Sequence, residues 1–215
     1  MLSVRHAITT VLTPAARRMS AVSPNALTLV SLGSGVLAGL AFAMAAHGRG
    51  WYAAAGLLVA ASGSADALDG LVARLHGRVS TAGEFFDHFG DRLVEVAILA
   101  GIAVTPGAHT TFGLAVVILT LLSSYLGTQI QATFGRRSYS GLGKAEQFLG
   151  LVVYAVVMTA FPELVVRLGG LRLSAADVVL VLLGAGAVAG LVHRARFAWT
   201  LCSATRPLPP EDGRP

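Results

Sequence analysis

The stretch SADALDGLVARLHGRVSTAGEFFDHFGD, Ser64 to Asp91, packs five carboxylates into 28 residues of a chain that is otherwise largely apolar. Asp66 and Asp69 stand three residues apart and share one face of a helix; Asp87 and Asp91 stand four apart and share a face of the next. Glu84 and Glu95 continue that second face on either side. The connection RLHGRVSTAG is short, so the two helices are antiparallel neighbours and their aspartates can meet across the gap. Ionised carboxylates about 5 Å apart repel by about 3 kcal/mol per pair at an effective dielectric near 20, so protonation or bound cations must compensate. All-oxygen ligands with no nearby thiolate favour Mg²⁺ or Mn²⁺ over zinc, and a two-metal site would still present positive potential to a diphosphate. Gly70 and Gly83 leave the backbone bare where a planar or phosphorylated group approaches, and Arg74 brings five donors suited to phosphate.

Outward from this stretch, the 215 residues are 54% hydrophobic and 13% charged, with a mean hydropathy of +0.70. That balance excludes an ordinary water-soluble globule and predicts an all-α integral membrane protein. Six transmembrane helices are expected near 26–46, 51–74, 83–105, 110–133, 146–167 and 174–196, because Gly, Pro and charged clusters fall between these apolar blocks. Residues 96–135 carry no charge, but Pro106-Gly107 divides them into two spans joined by a turn. Before the first span, Val4, Ile8, Val11, Leu12, Ala15 and Met19 recur at helical spacing opposite Arg5, Thr9, Arg17 and Arg18, which predicts an amphipathic helix lying in the membrane interface. Pro14 is expected to kink it. The resulting division is an interfacial helix over 1–22, a six-helix domain over 23–200 and a disordered cytoplasmic tail, Pro-rich and polar, over 201–215.

Basic residues set the orientation. Arg5, Arg17, Arg18, Arg74, Arg78, Arg92, Arg136, Arg137, Lys144, Arg194, Arg196, Arg206 and Arg214 fall on one side of the six spans, against Arg49, Arg167 and Arg172 on the other. Both termini and the carboxylate stretch are therefore expected on the cytoplasmic side, with the plasma (inner) membrane as the expected location. The net charge of +5 reads as topology plus attraction to anionic membrane lipids; nucleic acid is a poor partner, since the basic residues are dispersed and lack aromatic neighbours. The single cysteine, Cys202, excludes an internal disulfide and reads as a small residue at the end of the last helix.

The array Asp66, Asp69, Gly70, Ala73, Arg74, Gly83, Asp87, Asp91 reads D-x2-D-G-x2-A-R-x8-G-x3-D-x3-D. It resembles the signature of the CDP-alcohol phosphotransferases, membrane enzymes with six helices, and eight fixed positions at about 7% each match by chance on the order of once in 10⁹ starting points. SPNALT, Ser23 to Thr28, is similar to the Pro-Asn-x-x-Thr element that opens the first transmembrane helix in that family. The resemblance implies transfer of a substituted phosphoryl group from a CDP-linked donor to an alcohol, with release of CMP. It implies that Asp66, Asp69 and Asp87 hold two divalent ions, and that Asp91 completes the metal shell and accepts the proton of the attacking hydroxyl. Gly70, Ala73 and Gly83 would let the cytidine pack against backbone, with Asp66 beside it and Arg74 steadying a phosphate. The favoured reading is a phospholipid-synthesising phosphatidyltransferase that takes CDP-diacylglycerol and a small polar alcohol such as inositol phosphate, glycerol phosphate or a similar polyol. Arg136, Arg137 and Lys144 are the candidate acceptor ligands, joined by Arg194 and Arg196 at the end of the sixth span; ordinary topology charge explains them equally well. Gln129, Gln131 and Gln147 suggest a less anionic acceptor. A homodimer is also implied.

Other readings are weighed against this one. A CDP-choline or CDP-ethanolamine phosphotransferase acting on a lipid alcohol uses the same signature, and GEFFDHFGD is somewhat like its third helix, but such chains are usually much longer. An intramembrane prenyltransferase would carry two separate Asp-rich clusters and more helices. A cation transporter would place its acids at mid-membrane rather than at helix ends beside Gly and Arg. Structural ion pairing does not explain the aspartates, since Arg74, Arg78 and Arg92 are too few for the nearby acids. Glu84 and Glu95 read as supporting residues, His76 and His88 as hydrogen-bonding rather than ligating, and Ser123, Ser124 and Gln129 as residues that line a cavity or bond neighbouring backbone.

Overall fold

Among the described residues, Leu, Val and Ala blocks punctuated by Pro and Gly fold into seven α-helices and one small hairpin. The computed structural model describes residues 4–136, 144–168 and 171–204. In chain order these are α1 (Val4–Arg18), α2 (Pro24–Ala43, followed by a 3₁₀ turn over Met44–His47), α3 (Gly50–Leu75), α4 (Thr81–Ala103), α5 (Thr110–Phe134), α6 (Lys144–Ala160), strands β1 (Val165–Leu168) and β2 (Leu171–Ser174), and α7 (Ala175–Ala204). Pro24 occupies the first turn of α2, where its missing N–H removes no helical bond, and Gly135 ends α5 in the left-handed region at φ 63°.

Helices α2, α5 and α7 with α3 are long and apolar enough to cross a membrane: Pro24–His47, Gly50–Leu75, Thr110–Phe134 and Ala175–Ser203. Their outward faces carry Leu29, Leu37, Leu57, Ile118, Leu122 and Leu182, all exposed, as lipid-facing residues of an integral membrane protein are. Against the expected six spans, four helices among the described residues qualify on length and composition. α4 carries Glu84, Asp87, Asp91, Arg92 and Glu95 in its first two-thirds, and α6 has 17 residues.

Three other boundaries differ from the sequence reading. The fifth apolar block ends as a helix at Ala160, not at 167, because Pro162 cannot continue it. The β-branched Val165 and Val166 then pair in an antiparallel hairpin, Val166 opposite Leu173 and Arg167 opposite Arg172, so the fold is mostly rather than wholly helical. At the other end α7 runs two turns past residue 196, through Ala204, while 205–215 lie outside the described residues. α1 is present, with Pro14 inside it.

The core is centred on Phe42, Tyr52 and Tyr154, whose ring centroids lie 5.6–6.4 Å apart, ringed by Ile98, Ile102, Val116, Met158 and Leu180. Helices α2 and α4 approach until their backbones touch: a Cβ on Gly101 would stand 2.1 Å from Gly39 O, and one on Gly39 2.2 Å from Ala97 O. Small residues at this crossing let van der Waals packing replace the hydrophobic drive that lipid cannot supply. At the hairpin end, Asp177 of α7 is 2% exposed and fully bonded. It accepts from His109 N (2.8 Å), His109 Nδ1 (2.9 Å), Ser174 N (3.2 Å) and Ser174 Oγ (2.9 Å), tying the start of α5 and the hairpin to α7. A second, smaller cluster at the opposite end packs Leu12, Ala16 and Met19 of α1 and its following turn against Leu27, Leu71 and Val72.

Candidate metal and phosphate site

The turn between α3 and α4 fixes where the aspartates point. His76 N bonds Val72 O and Arg78 N bonds Ala73 O, Gly77 takes φ 64° to reverse the chain, and Ser80 caps α4 by accepting from Gly83 N at 3.1 Å. Two bonds from the α1 side hold this turn: His76 Nε2 donates to Ala16 O (3.2 Å) and Arg78 Nη1 to Val22 O (3.1 Å). Helix α2 packs against both α3 and α4, so these two helices are not the side-by-side neighbours expected from the sequence; the short turn brings them together only at the end where the aspartates stand.

Asp66, Asp69 and Asp87 each direct one carboxylate oxygen into the gap, and the three oxygens lie within 4.8 Å of one another. Asp69 is buried, and Thr28 Oγ1 of α2 donates to its Oδ2 at 2.8 Å; Asp66 and Asp87 are half-buried. His88 Nδ1 lies 3.8 Å from Asp87 Oδ2. Asp91, one turn further along α4, joins the cluster through Lys144: the ammonium bonds Asp66 Oδ1 at 2.5 Å and Asp91 Oδ1. At such distances each pair of ionised carboxylates repels by about 3 kcal/mol at an effective dielectric near 20, and one ammonium with one hydroxyl does not cancel several such terms. Three hard oxygen donors converging in this way fit a divalent cation of the Mg²⁺ or Mn²⁺ type.

Around the carboxylates two glycines lie under side chains rather than under backbone. A Cβ on Gly70 would stand 3.2 Å from Arg74 Nη1, so the guanidinium lies over the glycine on an exposed surface. A Cβ on Gly83 would meet Ser80 Oγ at 3.1 Å and Asn25 Oδ1 at 3.6 Å, which places the Pro24-Asn25 start of α2 against the start of α4. Ala73 is half-buried one turn beyond Asp69.

Next to the cluster a cavity of about 260 Å³ opens among α4, α5, α6 and α7, shared at its mouth by Asp91 and Lys144. Its polar lining includes Arg92, Glu95, Thr120, Ser123, Ser124, Gln147 and Arg194. Arg92 Nη1 bonds Glu95 Oε2 at 2.5 Å and also Ser124 Oγ; Arg194 Nη1 bonds Ser123 O and, at 2.9 Å, Ser123 Oγ. Gly127 makes room for Arg194, since a Cβ there would stand 3.2 Å from Nε. Arg194 Nε and Thr120 Oγ1 are buried here without a hydrogen-bond partner among the described residues.

Of the expected acceptor ligands, Lys144 therefore sits among the aspartates, Arg136 is exposed beyond the end of α5, and Arg137 lies outside the described residues. Ser123, Ser124 and Gln147 do line the cavity, whereas Gln129 is exposed and its amide nitrogen bonds Thr133 at 3.5 Å. Glu95 is held by Arg92 rather than by the aspartate group. Sequence reasoning missed the role of Thr28, although it had singled out the SPNALT element that contains it, and it treated Arg92 as a simple counter-ion.

Comparison with known proteins bears on this geometry. Residues 21–192 match the CDP-alcohol phosphatidyltransferase family. Archaetidylinositol phosphate synthase of Pyrococcus horikoshii is 36% identical over 105 residues, 49% of this chain and 51% of that protein, so the match spans about half of the archaeal enzyme. The inner membrane protein YnbA of Escherichia coli is 24% identical over 143 residues, 66% of this chain and 71% of that protein. Among solved structures, the phosphatidylinositol phosphate synthase of Mycobacterium tuberculosis with CDP-DAG bound has the same fold, with a TM-score of 0.72 at 23% identity over 93% of this chain and 99% of that one. The same enzyme in complex with manganese and citrate gives a TM-score of 0.71 at 23% identity, covering 95% and 96%.

Proposed function

This chain belongs to the CDP-alcohol phosphatidyltransferase family, and we propose that it transfers a phosphatidyl group from CDP-diacylglycerol to a small polar alcohol, with release of CMP. The observation that carries this reading is the convergence of Asp66, Asp69 and Asp87 within 4.8 Å from the two halves of the D-x2-D-G and D-x3-D array. A relative of the same fold has been crystallised with CDP-DAG and with manganese, which supports the same donor and a divalent ion here.

In this reading Asp66, Asp69 and Asp87, completed by Asp91, hold two Mg²⁺ or Mn²⁺ ions, which when bound neutralise the donor's diphosphate and make its phosphorus more electrophilic. The residues of the chain do the rest. Arg74 steadies a phosphate from above Gly70, and the bare backbone at Gly70, Ala73 and Gly83 receives the cytidine. Asp91 accepts the proton as the acceptor's oxygen forms its bond to the lipid-side phosphorus and the bond from that phosphorus to the CMP oxygen breaks. The acceptor occupies the 260 Å³ cavity beside Asp91, where Arg92, Arg194 and the hydroxyls of Ser123 and Ser124 suit a polyol or its phosphate. The unpartnered Arg194 Nε supports an anionic or polyhydroxylated occupant.

We read α4 and α6 as spans as well, giving six, with α1 in the interface and the aspartate end in the cytoplasm. Arg17, Arg18, Arg74, Arg78, Arg92, Arg136, Lys144, Arg194 and Arg196 belong to that end, against Arg49, Arg167 and Arg172 at the other. The acyl chains of the donor then stay in the bilayer while its diphosphate meets the cytosolic acceptor. The test is CMP release by purified protein given CDP-diacylglycerol, Mn²⁺ and, in turn, inositol phosphate, glycerol phosphate, inositol and serine. At least one acceptor should drive release; failure of all four, with turnover of CDP-choline or CDP-ethanolamine plus diacylglycerol, would reverse the donor assignment.

A further inference from the structure

We propose that Lys144 is a built-in counter-cation: it bonds Asp66 and Asp91 while the site is metal-free and withdraws when divalent ions load, so that ion binding frees Asp91 to accept a proton. The proposal rests on the reading of the aspartate cluster as a metal site. The chain has sixteen Lys and Arg residues and Lys144 is its one lysine. That lysine stands at the first position of α6, yet its ammonium reaches across to α3 and α4, to Asp66, 78 residues away, and to Asp91, 53 residues away.

The charge count argues for withdrawal. Four carboxylates and one ammonium sum to −3; two divalent ions in the same group bring the total to +1, with the ammonium between the two carboxylates that face the ions. A cation held there by attraction in the first state is repelled in the second. The side chain is built for such a move, because lysine is a compact point charge on a flexible stem, whereas arginine is a rigid planar fork. Its Nζ lies 5.9 Å from the centroid of the Phe148 ring, and its side chain is 35% exposed and opens onto the cavity beside Gln147, Glu95 and Ser124. While Lys144 bonds Asp91 Oδ1, the ammonium stands on the carboxylate that the acceptor hydroxyl has to approach. Its withdrawal clears that approach once the ions are in place.

The experiment measures Mn²⁺ binding to the chelator-stripped, full-length protein by the loss of the free-ion signal in electron paramagnetic resonance, without substrate. Lys144→Met should bind Mn²⁺ about tenfold more tightly or better at low salt, since it removes a competing charge; Lys144→Arg, which keeps a cation, should not. Equal or weaker binding by Lys144→Met overturns the proposal while leaving the metal site standing. Absence of Mn²⁺ binding in both wild type and Lys144→Met overturns the metal reading itself, and the proposal with it. A second measurement needs no variant: acylation of Lys144 by an amine-reactive ester, followed by peptide mass spectrometry, should be slow in chelator and several-fold faster with Mn²⁺. An unchanged or slower rate in a protein that binds Mn²⁺ shows that the ammonium stays in place.

Discussion

At the hairpin end of the bundle Asp177 is buried and accepts four hydrogen bonds, from His109 and Ser174, that fill its oxygens. At the other end Asp66, Asp69 and Asp87 converge within 4.8 Å, and among the described residues the side-chain donors to this group are Lys144 and Thr28. A lone carboxylate saturated by donors has nothing left to bind and serves to join α5, the hairpin and α7. Carboxylates gathered against their mutual repulsion, with donors too few to offset it, are arranged for a ligand that brings positive charge. The two ends should consequently respond in opposite ways to loss of a carboxylate.

The largest separation is expected from Asp91→Asn, which keeps shape and removes the proton acceptor. CMP release should fall by about 10²- to 10⁴-fold with thermal stability unchanged, so a stable enzyme of near-normal rate would break the contrast. Asp177→Ala does the reverse. It removes the buried acceptor that ties the exposed His109 and half-buried Ser174 to α7 and should cost about 1–2 kcal/mol, read as a lowered unfolding temperature in detergent, while the folded fraction retains its turnover. Between the two ends, Gly101→Val places side-chain atoms where Gly39 O already stands, and overpacking of this kind costs about 1–3 kcal/mol, again read from thermal unfolding. The smallest effect sharpens the comparison within the aspartate cluster itself. Thr28→Val removes one hydroxyl donor to Asp69 and should change Mn²⁺ affinity by a few-fold only, consistent with a net hydrogen bond of about 1 kcal/mol.

Local pattern explains why so much of this was legible in advance. The second predicted span, 51–74, and α3, Gly50–Leu75, differ by one residue at each end because Gly, His and Arg punctuate an apolar block there. The aspartates could be paired from sequence because their partners are separated by one short turn, which leaves few geometries open. Contacts across long separations were not legible in the same way. Lys144 could be placed at a helix start but not among aspartates 53 and 78 residues away, and Thr28 reaches Asp69 over 41 residues. The hairpin was hidden because Val and Leu read equally well as the end of an apolar helix; Pro162 was the available signal for a stop, and it was outweighed by hydropathy. The role of Asp177 has no local signal, since nothing in the neighbouring sequence announces the donors that His109 supplies from 68 residues away.

The decisive measurement is CMP release from CDP-diacylglycerol by chelator-stripped protein as Mn²⁺ is restored, run in parallel on wild type and Asp69→Asn. Wild type should be inactive without the ion and recover in a saturable manner, and Asp69→Asn should require far more Mn²⁺ or fail to recover. Undiminished turnover in chelator, or the same Mn²⁺ dependence in both proteins, would contradict a metal centre built on these aspartates.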